Sequence, residues 1–535
     1  MNWLLPHLLA AHVLALIGIG LIPSRRANAA ATLLGRLTTI VAGSAFLAAL
    51  AAGAHVLTVG PMDYSFAEWK SPFPFCLGVH IDAVTVVMLL LISFIGAIIA
   101  RYSSRYLLGD PQQGRFFRWM AFTLGATLQL VLACNLVLFT AAWMLTSLGL
   151  HQLLTYYPER PWAIWAARKK FLISRLGDAM LIAALILTYR SFGTTEYTEV
   201  FAAAEGIRNG SSAGSVSTAL IGILFVLGAI TKSAQFPFHS WLPDTMETPT
   251  PVSALMHAGV INAGGFLVIR LSPLVLLSPI ALDLLALIGA VTAVIGSLVM
   301  LTQTSIKRSL AYSTIAQMGF MMLQCGLGAF SAALLHIVAH SAYKAHAFLS
   351  CGSTLDSAAR MKVPAMPALS AGRSALALVG AISLAAAIVW GTFRVIGIDL
   401  VTKPGGAVLG LILTLALAQL LWNGLSTGVL SLATRSVVNA LLVAAAYSAA
   451  YFAMDHLVAS SISHYTPPQS TLDLLILVFV AVGFLSVFTL QAISARLAQR
   501  RWVRTLYVHA MNGFYIDIPA RRLTARIYGV SAPVQ

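Results

Sequence analysis

The chain has 535 residues, of which 59% are hydrophobic and only 9% are charged. This composition excludes a disordered chain and an ordinary soluble domain, and it is typical of a protein built from membrane-spanning helices. The formal net charge of +16 suggests a nucleic-acid partner only if the positions of the basic residues are ignored.

Apolar stretches long enough to cross about 30 Å of hydrocarbon recur along the whole sequence. Backbone groups in lipid need internal partners, so each stretch is expected to be helical. The predicted fold class is therefore an all-α polytopic membrane protein. About fifteen spans are predicted, near residues 3–22, 33–58, 79–100, 116–134, 135–154, 171–190, 218–236, 250–270, 274–302, 309–327, 329–350, 374–398, 405–425, 436–458 and 470–494.

Basic residues are distributed asymmetrically between the two sides of the membrane. The odd-numbered connections and the C-terminal tail carry most of the Lys and Arg, among them Lys169 and Lys170. By the positive-inside rule, the N-terminus is predicted outside and the C-terminus in the cytoplasm. The net positive charge is then explained by the orientation of the chain in the membrane, and no nucleic-acid partner is expected.

Four cysteines, Cys76, Cys134, Cys325 and Cys351, are scattered along the chain. Their spacing matches no metal or redox motif, so they are predicted to be small buried residues, with no metal ligand among them. The segment 59–78 is expected to be a short loop on the outside.

The tail, residues 495–535, is basic and then amphipathic. Its segment NGFYIDIPARRL is expected at the cytoplasmic surface. Two placements are open: contact of Arg521 and Arg522 with anionic headgroups, or a helix docked on the chain's own bundle.

The region 228–265 departs from a simple span, and the break itself is predicted near 228–245. Proline removes helix donors and glycine loosens the backbone. A broken helix at membrane depth is tolerated where protein or a water-filled cavity covers it, and such helices mark the ion sites of transporters. A broken helix is therefore predicted here, with a kinked packing helix as the alternative. The residues that follow Lys232 are Pro237, Pro243, Pro249, Pro251, Gly264 and Gly265.

Two lysines lie in apolar helices. Lys344 follows His336 and His340 at four-residue spacings, which places the three side chains on one helix face. Because burial disfavours the charged form of an amine, such a lysine can take up and release a proton, and histidine can pass protons between lysines. The predicted proton or cation relay consists of Lys232, His257, His336, His340 and Lys344.

Simpler interpretations exist for the histidines. A single histidine in a span can make a structural hydrogen bond only. His336 and His340 are also spaced like two metal ligands, although the IVA between them supplies no glutamate base. A zinc site at this pair is the remaining alternative.

Other charged residues in or near the spans are candidate modulators of the relay. Asp178 follows Arg175 by one turn and forms either a structural salt bridge or a functional acid. Lys307 either lies at the cytoplasmic entrance of the ion path or only helps to set the orientation of its helix in the membrane. Arg394 lies inside a span, where a functional or partner-facing role is possible, and Asp82 is expected to cap a helix.

Several enzyme classes are excluded by motif. The sequence contains no G-x-x-x-x-G-K-[ST] phosphate loop and no glycine fingerprint after a strand, so ATP drive and nicotinamide or flavin binding are not expected. We expect no catalytic site and no cofactor in this chain.

Long motifs resemble the antiporter-like, proton-pumping membrane subunits of respiratory complex I and of Mrp-type sodium/proton antiporters. The resemblance covers about residues 75–355 and part of the tail. The motifs are TKSAQFPFHSWLPDTMETPTPVSALMHAGVINAGGFLVIR, QTSIKRSLAYSTIAQMGFM, HIVAHSAYKAHAFLSCGS, LGVHIDAVTVVMLLLI and NGFYID.

The resemblance assigns roles to the candidate residues. Lys232 matches the broken-helix lysine of the first half-channel, and Lys344 matches the central lysine. Lys307 matches the lysine of the family's IKR turn, and Asp178 matches an acid of the same span. The connecting relay corresponds to His257, His336 and His340.

The resemblance also implies a division of the chain into two inverted five-helix repeats with flanking helices. The expected boundaries are N-terminal flanking helices at 1–100, a first repeat with the first half-channel at 116–270, a degenerate second repeat at 274–425, C-terminal flanking helices at 436–494, and the tail at 495–535.

The sequence departs from the family pattern at two points. The family's Trp-Glu pair, whose glutamate partners the first lysine, reads Trp143-Met144 here. The second broken helix has no clear counterpart, and its span contains Arg394 instead. Both departures resemble the DabB family, the membrane subunits of DAB inorganic-carbon uptake systems.

The DabB resemblance implies a subunit that passes H+ or Na+ down its gradient and so powers the uptake of CO2 or bicarbonate. The family's partner, DabA, is a zinc protein resembling β-carbonic anhydrases, so zinc is expected in the partner. Two alternatives remain open. One is a proton-pumping subunit of complex I, a related hydrogenase or an Mrp antiporter, and the other is a non-conducting membrane anchor for a cytoplasmic enzyme.

Overall fold

The N-terminal part of the molecule combines long helices with one short hairpin. The structure is a computed structural model that describes residues 3–69, 75–210, 216–353, 370–400, 402–403, 405–427, 429–463, 471–497 and 499–530. The first elements are α1 (Leu4–Leu21), α2 (Ser24–Ala29), α3 (Ala31–Thr58), β1 (Met62–Trp69), β2 (Phe75–Ile81), α4 (Ala83–Tyr106), α5 (Gln113–Leu132), α6 (Leu136–Leu154), α7 (Pro161–Phe192) and α8 (Tyr197–Arg208).

The middle of the chain contains shorter, interrupted helices. These elements are α9 (Val216–Lys232), two 3₁₀ turns (Phe238–Trp241 and Pro243–Glu247), α10 (Thr250–Ala258), a third 3₁₀ turn (Val260–Asn262), α11 (Ala263–Arg270), α12 (Ser272–Val275), α13 (Pro279–Met300), α14 (Ile306–Gly326) and α15 (Phe330–Leu349).

The C-terminal part returns to long helices and ends in two short amphipathic ones. It consists of α16 (Ala371–Ile396), α17 (Gly406–Leu425), α18 (Leu430–Val458), α19 (Thr471–Leu497), α20 (Arg501–Met511), a 3₁₀ turn (Gly513–Tyr515) and α21 (Ile518–Tyr528).

Eleven helical segments of the described residues are long and apolar enough to cross a membrane, with Thr250–Arg270 (α10 to α11) counted as one. The all-α polytopic fold is thereby confirmed. Each of the other predicted spans also coincides with a helix, but these four helices are shorter or more polar than the eleven, so the count of about fifteen spans stays a prediction. The four are α5, α9, α14 and α15.

The segment predicted to be a loop at 59–78 is largely a β-hairpin. Strands β1 and β2 pair antiparallel, with Met62 opposite Ile81 and Glu68 opposite Cys76. Apolar residues occupy every second position of β2 and, in β1, continue this alternation as far as Phe66, a pattern that favours pleated backbone. Tyr64 and Phe66 make edge contacts with His7 of α1, so the hairpin covers the end of the first helix.

Residues 70–74 of that predicted loop lie outside the described residues, as do 470, 498 and 531–535 of the last predicted span and the tail.

The predicted broken helix is present. α9 ends at Lys232, and the chain continues through irregular backbone and 3₁₀ turns to α10. The freed backbone is satisfied by protein groups: the amide of Phe236 donates to Oγ1 of Thr292 in α13, at 3.0 Å. A second interruption follows at Gly259, between α10 and α11. Both breaks are buried in protein, the condition under which irregular backbone is tolerated in a membrane.

Two hydrophobic cores organise the bundle. The larger lies mainly among α1–α15, and the smaller lies among α16–α19. A third cluster joins them, with Ala286 and Leu323 packed near Val408 and Ile476. Within the larger core, α13 and α14 approach backbone to backbone. A Cβ at Gly319 would lie 2.5 Å from the amide nitrogen of Ala293, a close approach that small residues permit between membrane helices.

Candidate ion-relay site

Lys232 is the last residue of α9, so it lies at the break of the predicted broken helix. Its buried Nζ donates three hydrogen bonds to α6: to the carbonyl of Trp143 at 3.0 Å, Oγ1 of Thr146 at 2.8 Å and Oγ of Ser147 at 2.7 Å. The ammonium also lies 4.5 Å from the centroid of the Trp143 ring. Neutral acceptors thus occupy all three donor positions of this lysine.

Lys170 lies beside Lys232, which the sequence did not predict. α7 begins at Pro161, well before residue 171, so Lys169 and Lys170 are buried within the helix. The placement of these two lysines in a connection was wrong, because the run that contains them is helical. Nζ of Lys170 donates to the carbonyl of Ser147 at 2.9 Å. Ser147 therefore contacts Lys170 through its carbonyl and Lys232 through its hydroxyl.

Asp178 supplies the negative charge of this cluster. Its buried carboxylate forms an ion pair with Arg175 at 2.6 Å, and it lies within electrostatic range of Lys232 and Lys170. The salt bridge that the sequence suggested is therefore present. The same carboxylate offsets part of the repulsion between the two buried ammonium groups.

Glycines bring α7 and α9 close enough for this arrangement. A Cβ at Gly177 would lie 2.1 Å from Oγ1 of Thr231, and one at Gly228 would lie 2.0 Å from Cδ1 of Leu181. The two backbones pack through these positions, so Asp178 on α7 faces the end of α9.

Lys344 and His257 are joined through two groups of α14. Nζ of the fully buried Lys344 donates to the carbonyl of Leu310 at 3.1 Å. The same carbonyl accepts from Oγ1 of Thr314 at 3.0 Å. Nδ1 of His257 lies 3.0 Å from that hydroxyl, and the imidazole stacks on Phe348. A continuous hydrogen-bonded path therefore links the predicted relay residues His257 and Lys344.

His336 and His340 occupy successive turns of α15, with ring centroids 6.1 Å apart. Nδ1 of His336 donates to Oε1 of Gln324 at 2.9 Å. His340 is buried and lies within electrostatic range of Lys344 and His257. Among the described residues, no third His, Cys, Asp or Glu lies close enough to bind a metal ion together with this pair. The zinc alternative is therefore without support.

The polar contacts between the two lysine clusters run through the interrupted helices. Oγ of Ser233 donates to the carbonyl of Ile261 at 2.6 Å. Nδ2 of Asn262 donates to Oγ of Ser341 at 2.8 Å. Ser233 follows Lys232, and Ser341 follows His340. We refer to Ser233, Ile261, Asn262 and Ser341 as the polar seam.

The remaining predicted residues lie apart from these contacts. Lys307 is partly exposed in the first turn of α14. Arg394 is exposed on α16, with its guanidinium 5.5 Å from the Trp390 ring centroid. Met144, at the position of the family's glutamate, is half-buried on α6 next to Trp143. Arg394 thus faces outward from the bundle, as its partner-facing interpretation requires.

Comparisons with known proteins agree with these features. A family model described as NADH:quinone oxidoreductase/Mrp antiporter, TM, matches residues 133–390, and one described as NADH-Ubiquinone oxidoreductase (complex I), chain 5 N-terminus, matches residues 69–117. The probable inorganic carbon transporter subunit DabB2 of Halothiobacillus neapolitanus is 42% identical over 84% of this chain and 81% of that protein. The chain belongs to the DabB family.

A further relative and two solved structures place this DabB-family member more widely. The probable inorganic carbon transporter subunit DabB of Hydrogenovibrio crunogenus is 34% identical over 85% of each chain. A chain of the Mrp complex from Dietzia sp. gives a TM-score of 0.63 at 23% identity, covering 98% of this chain and 60% of that one. A chain of the archaeal membrane-bound sulfane sulfur reductase gives 0.58 at 18% identity, covering 95% and 99%. These two structural likenesses show the fold alone.

The tail of this DabB-family chain docks on its own bundle beside the first break. Lys169, 1% exposed, donates to Asp244 of the broken segment at 2.6 Å and to Asp517 of the tail at 2.7 Å. Arg521 also pairs with Asp517. Burial raises the pKa of Asp517, but Lys169 outweighs this effect, so the net direction is downward. Of the two placements predicted for the tail, the docked one is observed.

The opposite end of the bundle carries a second charge network. Arg270 binds both oxygens of Asp82, at 2.7 and 2.8 Å, and Asp82 caps α4 as predicted. His80 connects this pair to the surface: Nδ1 lies 2.5 Å from Asp63, and Nε2 lies 3.5 Å from Asp82. Burial lowers the pKa of His80, but hydrogen bonds to Asp63 and Asp82 outweigh it and raise the pKa above its usual value.

Sequence reasoning missed some groups of the site and had no signal for others. Lys170 carried a signal, because it directly precedes the predicted span 171–190. A helix that begins slightly earlier than predicted would include it. Thr314, the carbonyl of Leu310 and the seam residue Asn262 carried none. Their roles depend on which helices are neighbours, and the spacing of residues within one helix does not determine which helices pack against it.

Proposed function

We propose that the chain is the cation-conducting membrane subunit of an inorganic carbon uptake complex in a bacterial inner membrane. We propose H+ as the conducted ion. Residues 116–270 would form the first half-channel, and 274–425 would form the second, with Lys232 and Lys344 at their centres. The N-terminus would lie outside and the C-terminus in the cytoplasm.

One observation carries this proposal: two lysines are buried inside the helical bundle, and each is held by neutral oxygen acceptors. A buried ammonium is costly in a membrane, and such groups mark ion or proton pathways. A lysine held by hydroxyls and carbonyls keeps acceptors in place whether or not it is charged. Proton release therefore leaves the site hydrogen-bonded.

The residue chemistry favours H+ over Na+. Small hard cations bind oxygen ligands, carboxylates above all. The relay positions here are amines and imidazoles, and the buried acid Asp178 is engaged by Arg175. A sodium ion would meet the positive charge of Lys170 and Lys232, whereas a proton can reside on these groups in turn.

The direction of flux follows from the departure at Met144. A pump needs a carboxylate that can alternately attract and release the first lysine. The position of that carboxylate holds a thioether here. Downhill passage of protons needs only titratable groups that lie near one another in a polar interior. Lys232, His257 and Lys344 would be those groups, and the polar contacts of Thr314 and the polar seam would line the route between them.

We propose a DabA-like zinc protein resembling carbonic anhydrases as the partner that converts CO2 to bicarbonate. The relatives' names describe subunits of a transporter, which supports a multi-subunit assembly. The enzymatic chemistry and its zinc would reside in that partner. The conducting chain would supply the downhill proton movement that drives the conversion in one direction.

Growth in air of a carbonic-anhydrase-deficient bacterium tests the proposal. Co-expression of the chain with a DabA-like partner should restore growth, and a proton uncoupler should abolish the rescue. Lys344→Ala should lose most of the rescue. Lys403→Ala is a matched control, because Lys403 pairs with Asp455 outside the relay, and it should retain the rescue.

Proteoliposomes separate the alternatives. The purified chain with its partner should dissipate a proton gradient and leave a sodium gradient intact. Absence of flux with intact carbon uptake would support a non-conducting anchor. Coupling of flux to quinone reduction in a purified complex would support a pump, and either result would overturn the proposal.

A further inference from the structure

Two cysteines and a glutamate meet at the end of the bundle that carries the β-hairpin. The sequence places Cys76 and Cys134 far apart, yet their Sγ atoms lie 4.0 Å from each other. One ligand atom from each of Cys76, Cys134 and Glu196 lies within 4.8 Å of the other two. The prediction that these cysteines are small buried residues is confirmed for Cys134, whereas Cys76 is partly exposed.

The fold holds the three ligands together through main-chain pairing. Cys76 lies in β2, Cys134 lies in the turn between α5 and α6, and Glu196 precedes α8. Isolated bridges join Val79 to Ala133 and Asn135 to Glu196. Single bridges of main-chain pairing therefore join the ligand-bearing segments to the hairpin and to each other, so the cluster is part of the local fold.

Asn135 organises the ligands. Its Nδ2 lies 3.1 and 3.3 Å from the two Glu196 oxygens, and it donates to the carbonyl of Cys76 at 2.7 Å. The amide of Cys76 donates to Oε1 of Glu196 at 3.1 Å. Such supporting hydrogen bonds orient the ligands of metal sites. Oε2 of Glu196 carries the weaker of these contacts and is the oxygen available to a ligand.

We propose that Cys76, Cys134 and Glu196 form a Zn2+-binding site. Two thiolates at about 2.3 Å from one tetrahedral zinc lie about 3.8 Å apart, which agrees with the observed 4.0 Å. A disulfide would require the two sulfur atoms to lie about 2.05 Å apart. Thiolates together with a carboxylate form a ligand set suited to zinc.

A cavity gives the fourth coordination position access to solvent. It has a volume of about 320 Å³ and borders all three ligands. Its lining includes the carboxylates of Glu68 and Glu199, which favour the approach of a cation. Water from this cavity can complete the coordination, as at zinc sites with three protein ligands.

The bound ion would act as a clamp. It would tie the hairpin to the start of α6 and to α8, all at one end of the first predicted half-channel. The site would raise the stability of this end against unfolding, because a ligand that binds only the native state stabilises it. This inference does not depend on which ion the chain conducts.

Zinc stoichiometry of the full-length chain, purified without a zinc-containing partner, tests the proposal. After exposure to ZnCl2 and removal of excess metal, the wild type should retain about one zinc per chain. Cys76→Ser and Cys134→Ser should each lose it. Cys325→Ser is the matched control, because Cys325 is a buried cysteine of α14 outside the cluster, and it should keep the zinc.

Cobalt absorption of the wild type guards against variants that fail to fold. Co2+ bound by two thiolates should give an intense near-ultraviolet charge-transfer band that excess Zn2+ abolishes. The proposal is overturned if the wild type shows no such band. It is also overturned if mass spectrometry finds Cys76 and Cys134 joined as a disulfide that excludes zinc, or if Cys76→Ser binds as much zinc as the wild type.

Discussion

Lys344 donates a hydrogen bond of 3.1 Å to the main-chain carbonyl of Leu310. A carbonyl oxygen has two lone pairs, and this one also accepts from the hydroxyl of Thr314. Thr314 in turn meets His257. The carbonyl only accepts, so it holds the ammonium beside Thr314 and passes no proton itself. A hydroxyl both donates and accepts, so we expect a proton to move between Lys344 and His257 through the Thr314 hydroxyl when Nζ meets that hydroxyl directly or through a water.

Thr314→Val should therefore slow proton flux without unfolding the bundle. Valine matches threonine in shape but cannot relay a proton. Loss of a proton-transfer group costs a factor of about 10², so flux in proteoliposomes should fall by roughly that factor. Thr314→Ser keeps the hydroxyl and should retain most of the flux. Equal flux in the valine and serine variants would remove Thr314 from the path.

The acceptors of Lys232 define a second prediction. Thr146→Val combined with Ser147→Ala leaves the ammonium with the carbonyl of Trp143 alone. An unsatisfied buried donor costs about 1–3 kcal/mol, so the melting temperature should fall. Thr188→Val is the control, because Thr188 is a buried threonine of α7 that bonds its own helix only. Adding Lys232→Met to the double variant should restore stability, and no restoration would contradict the assignment.

Met144→Glu restores the carboxylate that the wider family places beside the first lysine. A carboxylate next to Lys232 would stabilise the charged amine, which should then release its proton more slowly. We expect proton flux to drop several-fold, with the complex still assembled. Met144→Gln has similar size without the charge and should conduct like the wild type. Faster flux in the glutamate variant would argue against passive conduction.

The class of the fold could be predicted from the sequence, and so could the burial of most residues of the candidate relay, both for physical reasons. Long apolar runs force helices in lipid, and prolines after Lys232 predict a break, so both features follow from local chemistry. Lys344 and His340 stand out because a buried charge is rare. The β-hairpin was missed because its strands are short and partly exposed, so the alternation of apolar and polar residues along them is a weak signal.

Contacts between distant segments could not be read from spacing. Cys76 and Cys134 meet because β2 pairs with the turn after α5. The tail position depends on Lys169, whose burial follows only from where α7 begins. In each case the decisive fact is which elements are neighbours, and the sequence pattern of one element leaves that open.

The His80 network should make stability depend on pH. The folded pKa of His80 is raised, so its contribution is fully present below its unfolded pKa of about 6.5 and is lost as pH rises through the folded value. The pKa of Asp63 is lowered because the hydrogen bond from His80 outweighs burial, which acts the other way. Its contribution is present above about pH 3.9 and is lost in acid.

Thermal unfolding of His80→Gln against the wild type measures this effect. The two melting temperatures should differ most between about pH 4.5 and 6 and converge above about pH 8. A His80→Gln difference that grows with rising pH would contradict the assignment.

Asp517→Asn should loosen the tail from the bundle. Lys169 is buried and shared between Asp244 and Asp517, so removal of one carboxylate leaves its charge partly uncompensated. A loss of about 1–2 kcal/mol corresponds to a factor of about 5 to 30 in the released population. Trypsin should then cleave at Arg522 faster by that factor. Glu247→Gln breaks the exposed pair with Arg160 on the same face, and exposed pairs contribute little, so cleavage should match the wild type. Equal rates in the Asp517 and Glu247 variants would show that the ion pair does not hold the tail.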